Sequence, residues 1–204
     1  MYIPRFNAMD DPDEIRTFVE SVGSAEIVTV GADGTPLATL LPVLWSADGG
    51  TVIAHMARAN THWRQIGDGS RFLAIVAGPQ AYISPSWYAA KAEHGRVVPT
   101  WNYSAVHLSG TVRVRDDPAW VREAVTRLTD HHEQPREQPW AVTDAPETYI
   151  DKNLKAIVGL EMSVEHVEAK AKLSQNRSDA DRAGVVAGLR AEGGNLAVAD
   201  AMDT

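Results

Sequence analysis

Five aromatic side chains, Tyr82, Trp87, Tyr88, Trp101 and Tyr103, are interleaved with Gln80, Ser84, Ser86, Thr100 and Asn102 within residues 78–107. Aromatic rings bury much area while amides and hydroxyls fix orientation, so the set suits a flat, polar, conjugated ligand, of which a flavin is one. The same composition also describes an aromatic sheet core whose hydroxyls are merely satisfied, and the residues alone leave both readings open.

A second candidate lies upstream. Arg58-Ala59-Asn60-Thr61-His62-Trp63-Arg64 follows an apolar, strand-like run and opens a short helix, with Asn60 placed to cap it. A phosphate at such a turn meets backbone N–H groups, the positive end of a helix dipole and, here, Arg58 and Arg64. Asn60 is equally well explained as a cap alone, and Trp63 with Ile66 as a core-facing pair. His55 and His107 fall on predicted strands, as core residues or pocket walls. His131-His132-Glu133 resembles a ligand set, but adjacent helix residues diverge by about 100 degrees, so a solvated C-terminal turn is the simpler account. Lys172-Leu173-Ser174-Gln175-Asn176-Arg177 gathers donors for a carboxylate, phosphate or carbonyl, or builds a loop-to-helix cap on Ser178.

Other chemistries have little support. The 204 residues include no cysteine, which removes disulfides, thiolate metal sites and cysteine nucleophiles. There is no Gly-rich phosphate loop, nucleophile elbow or close acid pair. Nineteen basic against 27 acidic side chains give a formal charge of −8, which opposes broad attraction to nucleic acid, and no tract of consecutive Lys/Arg appears. The apolar run near Thr39 to Trp45 is broken by Pro42, and no signal-like segment opens the chain, so neither membrane spanning nor secretion is expected.

The elements that must position these residues follow from periodicity. Asp11, Pro12 and Glu14 start a helix over 12–22, with Ile15, Phe18, Val19 and Val22 on one face. Strands are expected over 25–30, 36–45, 51–56, 72–77 and 80–83, with Ala32-Asp33-Gly34 and Ala47-Asp48-Gly49-Gly50 between them as hairpin turns, hence an antiparallel sheet. A long strand over 100–115 bends near Gly110, which curls the sheet toward a barrel. Further helices are expected at 118–131, 147–154 and from Ser178 to Gly193, and a strand at 157–167. The chain reads as one α+β domain over 1–192 with a frayed tail at 193–204.

Residues 78–88 and 98–107 closely resemble the PaiB family of FMN-binding negative transcriptional regulators. Met1-Tyr2-Ile3-Pro4 is similar to that family's start, Arg58 to Trp63 to its strand-to-helix turn, and Lys172 to Arg177 to its C-terminal signature, so the resemblance covers about residues 1–190. It implies a split antiparallel β-barrel of the pyridoxamine-phosphate-oxidase-like class with peripheral helices. It also implies FMN as cofactor, a homodimer with a flavin at each interface and negative regulation of transcription, although the acidic charge does not support direct contact with DNA; the cytoplasmic location is expected from composition. The alternative within the same fold is a flavin-dependent oxidoreductase acting on a small molecule. On this resemblance the cofactor would be held by His55, Arg58, Asn60, Thr61, His62, Trp63, Arg64, Gln80, Tyr82, Ser84, Trp87, Thr100, Trp101, Asn102, Lys172, Gln175 and Arg177. The oxidases of this class use a Ser/Arg/Lys cluster for the phosphate, where this chain has Ala-Asn-Thr-His-Trp-Arg.

Overall fold

Alternating apolar positions and turn chemistry produce six strands in the computed structural model of the chain, which describes residues 1–193 and 195–203. The strands are β1 (Ser24–Val30), β2 (Pro36–Trp45), β3 (Thr51–Ala57), β4 (Ser70–Ile83), β5 (Thr100–Arg115) and β6 (Ile157–Lys172). The helices are α1 (Pro12–Val22), α2 (Ala90–His94), α3 (Pro118–Glu133), α4 (Glu147–Leu154), α5 (Asp179–Glu192) and α6 (Leu196–Asp203). The strands close into a barrel in the order β1-β2-β3-β6-β5-β4, an antiparallel α+β fold. The chain divides into two compact units, one made of residues 16–76 and 107–167, the other of 1–15, 77–106 and 168–204.

In the first unit the inward positions of the strands form the core. Ile27, Val52, Met56, Leu108, Val112 and Leu160 are completely buried, each contributing about 1.5–3 kcal/mol relative to exposure. Val28 pairs with Ala38 and Glu26 with Leu40, which fixes the register of the first hairpin and puts Thr29 and Thr39 on the inner side with Ile27. Helix α3 starts at Asp117, whose carboxylate accepts the Trp120 N–H at 2.8 Å, and buries Val121, Ala124 and Leu128. Gly159 lets this helix approach, because a Cβ there would stand 2.0 Å from the Trp120 ring. Strand β5 continues through the expected bend at Gly110, where a Cβ would meet the Ser163 carbonyl oxygen at 1.9 Å. The glycine serves the close approach of β6.

The second unit packs α5 and α6 on one sheet face, against Ala81, Ile83, Tyr88 and Leu173. Helix α5 begins at Ser178, whose hydroxyl accepts the Asp181 N–H at 3.2 Å, and ends at Gly193 in the left-handed conformation. Gly184 and Gly188 leave room for Trp87, whose carbonyl oxygen lies 2.0 Å from where a Gly184 Cβ would stand. Residues 196–203, expected to fray, form α6 and bury Val198, Ala199 and Met202. Gly194 and Thr204, also within the expected tail, lie outside the described residues. The expected break at Gly78-Pro79 in β4 does not occur. The N-terminal segment joins this unit through Met9 N–H, which donates to the Ala169 carbonyl at 3.2 Å, and a bridge between Ala8 and Lys170.

Candidate functional site

The turn after β3 holds its shape through side-chain hydrogen bonds. Asn60 Oδ1 accepts the His62 backbone N–H at 3.0 Å, the expected cap, and Asn60 Nδ2 donates to Thr39 Oγ1 at 3.2 Å. His62 is 5% exposed, with Nε2 2.9 Å from Thr29 Oγ1 and Nδ1 2.9 Å from Thr39 Oγ1. Burial lowers its pKa, which favours the neutral ring, and both nitrogens lie on hydroxyls. Trp63 donates its indole N–H to the Arg58 carbonyl at 3.0 Å, with the Arg64 guanidinium over its ring at 5.3 Å. Thr61 and Arg64 are exposed.

Arg58 takes a structural position. Both terminal nitrogens meet the Asp116 carboxylate, Nε donates to the Lys155 carbonyl at 2.9 Å, and one terminal nitrogen also reaches the Ile157 carbonyl at 3.0 Å. Arg64 is thus the cation of this turn that remains open to solvent. A cavity of about 290 Å³ beside the turn is lined by Asp33, Thr39, Asn60, Thr61, His62 and Gln65 among others, with no Lys or Arg among them. Within the cavity a phosphate dianion would meet neutral donors and the like charge of Asp33, so its cation at this turn would have to be Arg64. His55 lies opposite Gly159 in the β3–β6 register. Its Nδ1 is buried without a hydrogen-bond partner, and burial lowers its pKa.

The second unit brings together a different subset. Strand alternation sends Ala81, Ile83, Asn102 and Ser104 inward, and leaves Gln80, Tyr82, Trp101 and Tyr103 toward the other face. Trp101 donates its indole N–H to Gln80 Oε1 at 3.0 Å and meets the Tyr82 ring edge-on at 6.5 Å. Lys172 Nζ donates to the Trp101 carbonyl at 2.7 Å and to Thr100 Oγ1. Burial lowers the Lys172 pKa, and neighbouring Lys170 adds to that shift against the opposing influence of Tyr103. A cavity of about 300 Å³ on this face is lined by Gly78, Gln80, Trp101, Tyr103, Ser104 and Ala105 with Ala77.

The remaining expected contacts have internal partners. Asn102 is fully buried and donates to Ser174 Oγ at 3.0 Å and the Met202 sulfur at 3.5 Å. Ser84 caps the turn at Pro85–Trp87 by accepting the Ser86 N–H, and Trp87 packs against Gly188. Gln175 closes its own turn by accepting the Leu173 N–H at 2.7 Å and donating to the Ala171 carbonyl at 2.5 Å. Arg177 lies 4.6 Å over the Tyr88 ring. Gln80, Tyr82, Trp101 and Lys172 therefore share one face, joined by Tyr103 and Lys170, and Thr100 at the start of β5 meets it through its hydroxyl on Lys172. Lys170 and Lys172 stand two residues apart on one strand, and that spacing is the signal by which Lys170 was discoverable.

This face fits a flavin ring. Trp101 and Tyr103 supply apolar ring surface, Gln80 supplies amide hydrogen-bonding groups, and the Lys172 ammonium supplies a donor at the edge. These are the residues that would hold FMN, which brings redox chemistry of its own when bound. The chain's part would be to orient the ring and shield one side of it.

The family model described as "Putative FMN-binding domain" matches residues 1–166. The chain is 34% identical over 194 residues to the Bacillus subtilis (strain 168) "Protease synthase and sporulation protein PAI 2", covering 94% of this chain and 90% of that protein. Among solved structures it is similar to the FAD and heme binding protein from Mycobacterium smegmatis, with a TM-score of 0.61, 16% identity, and coverage of 87% of this chain and 79% of that one. It is also similar to the flavocytochrome Anf3 from Azotobacter vinelandii, with a TM-score of 0.57, 15% identity, and coverage of 83% and 72%. These likenesses show the split-barrel fold. The family model and the relative matched over 94% of the chain establish that the chain belongs to the PaiB family of FMN-binding proteins, with FMN as its cofactor.

Proposed function

We propose that this protein is a cytoplasmic FMN-binding negative regulator of gene expression that works as a homodimer. The observation that carries this reading is the similarity over 94% of the chain to a relative whose name links it to protease synthesis and sporulation. The regulatory effect is indirect, since a formal charge of −8 opposes approach to phosphate backbones. The homodimer is supported by the outer side of β1, β2 and β4. There Val28 stands between Leu73 and Ala38, and Glu26 between Ile75 and Leu40, with Leu40 61% exposed. Such a face favours a partner.

The alternative is a flavin-dependent oxidoreductase acting on a small molecule. The observation favouring it is Lys172, whose lowered pKa makes its ammonium a better proton donor beside the aromatic face. One series of measurements separates the two: the visible spectrum before and after added FMN, an NAD(P)H oxidation assay, and titration with promoter-sized duplex across salt. Flavin retention without turnover, with weak and salt-sensitive DNA affinity, supports the regulator. Turnover supports the enzyme, and tight sequence-specific DNA binding at physiological salt overturns the indirect mechanism. Sedimentation at micromolar concentration is expected to give twice the chain mass.

A further inference from the structure

Lys170 is an unusual lysine. It is 6% exposed, yet its ammonium donates to the Tyr2 carbonyl at 3.0 Å and lies against the rings of Tyr103 at 5.1 Å and Tyr2 at 5.9 Å. Lys172, on the same side of β6, has Thr100 Oγ1 and the Trp101 carbonyl as acceptors. Both lysines are thus bonded to neutral oxygens, and no ion pair to a carboxylate is found for either among the described residues. Glu168, the acid that precedes them on this strand, has its carboxylate on the Met1 amino group at 2.6 Å. Two neighbouring ammonium groups, one buried, are costly without a counter-charge. The ring of Tyr103 connects them to the cavity, since it lies under Lys170 and also lines the cavity with Trp101 and Gln80.

We propose that Lys170 and Lys172 form an anion subsite, which receives the phosphate or carboxylate of a planar aromatic ligand whose ring lies on Trp101 and Tyr103. This rests on the FMN-binding reading and deepens it: neither the cavity beside Asn60 nor the one beside Trp101 has a Lys or Arg in its wall, but two lysines border the second, Lys170 over the Tyr103 ring and Lys172 on the Trp101 carbonyl. The shared chemistry is a flat ring bearing an anion. FMN itself and a separate aromatic carboxylate are its two sources.

The test uses the full-length apo-protein, with ligand binding followed by tryptophan fluorescence. FMN is compared with riboflavin, which lacks the phosphate, and nicotinate with nicotinamide, which lacks the carboxylate. In the wild type the anionic member of at least one pair is expected to bind on the order of ten- to a hundredfold more tightly. Lys172→Met is expected to reduce that preference severalfold, Lys170→Met to abolish it, and Lys172→Arg to restore it. Thermal unfolding identifies any loss that comes from misfolding of the Lys170 variant, while the partly exposed Lys172 decides the matter independently. Loss of the FMN-to-riboflavin preference assigns the subsite to the cofactor's phosphate. Loss of the nicotinate preference alone assigns it to a second ligand. Preferences that survive in Lys172→Met and in folded Lys170→Met overturn the proposal and leave FMN binding intact. Failure of the wild type to bind FMN overturns the cofactor reading, while the nicotinate pair still decides the subsite.

Discussion

Nε2 of His62 stands 2.9 Å from the Thr29 hydroxyl inside the barrel unit, a contact that a buried neutral imidazole makes at no electrostatic cost. Protonation would place a charge there, and burial depresses the folded-state pKa below the usual value near 6.5. The unfolded chain then binds more protons than the native state below that pH. The stabilising contribution is complete above about pH 6.5 and is lost as the pH falls through the folded value. His55, shifted the same way, adds to the effect. Denaturant unfolding from pH 7.5 to 5 is expected to show falling stability, with a shallower slope in His62→Gln and again in His55→Gln. An unchanged slope in both variants would show that neither histidine is the source.

Arg58 is expected to act on stability rather than on phosphate recognition. Its partner Asp116 holds a carboxyl depressed by the guanidinium, so the pair is intact above the usual carboxylate range and is lost as the pH falls through the depressed value. Arg58→Ala should lower the unfolding midpoint by an amount that shrinks with added salt, while the ratio of FMN to riboflavin affinity stays at its wild-type value. A selective loss of FMN affinity would return Arg58 to the cofactor site.

Two glycines of α5 should respond differently to the same methyl group. At Gly184 the new Cβ meets the backbone carbonyl of Trp87 at 2.0 Å, whereas at Gly188 it meets the indole ring at 2.4 Å. A backbone has less freedom to move than a side chain. Gly184→Ala is therefore expected to cost about 2–3 kcal/mol and Gly188→Ala less, as read by urea unfolding. The reverse ranking would mean that the Trp87 ring is more tightly held than its carbonyl.

Two tryptophans should also part company. Trp101 is 47% exposed, so Trp101→Ala should weaken FMN and riboflavin alike, by roughly tenfold, with little change in apo-protein stability. Trp87 fills the space over Gly188, so Trp87→Ala should destabilise the fold by about 2–4 kcal/mol. Equal flavin affinities in wild type and Trp101→Ala would remove the ring-binding face from the site.

Local signals were legible. Asp11, Asp117 and Ser178 cap the helices whose starts they mark, and the Asp33-Gly34 and Gly49-Gly50 turns join strands paired in the expected way. The fold class followed from these together with the family resemblance. Long-range partners were not legible. Arg58 and Asp116 lie 58 positions apart, and nothing in either neighbourhood announces the other. The same holds for Asn102 and Ser174, 72 positions apart. A polar residue in an aromatic-rich strand reads the same whether it faces a ligand or a helix, and only the parity of the strand separates Trp101 from Asn102. Helix α6 was missed because an Ala/Asp-rich tail has a weak apolar stripe, and its burial is a gift of the surface it meets.

The unit that carries the aromatic face draws on residues 1–15, 77–106 and 168–204. Ala8 and Met9 are made long before their backbone partners, Lys170 and Ala169, so this unit cannot close until β6 has been synthesised. Pairings of such long sequence separation form slowly. Until β6 is complete, Tyr82, Trp101 and Tyr103 are presented by a nascent chain without their lysines. Low temperature or slow expression should therefore raise the yield of flavin-competent protein, read as flavin absorbance retained per milligram of soluble chain.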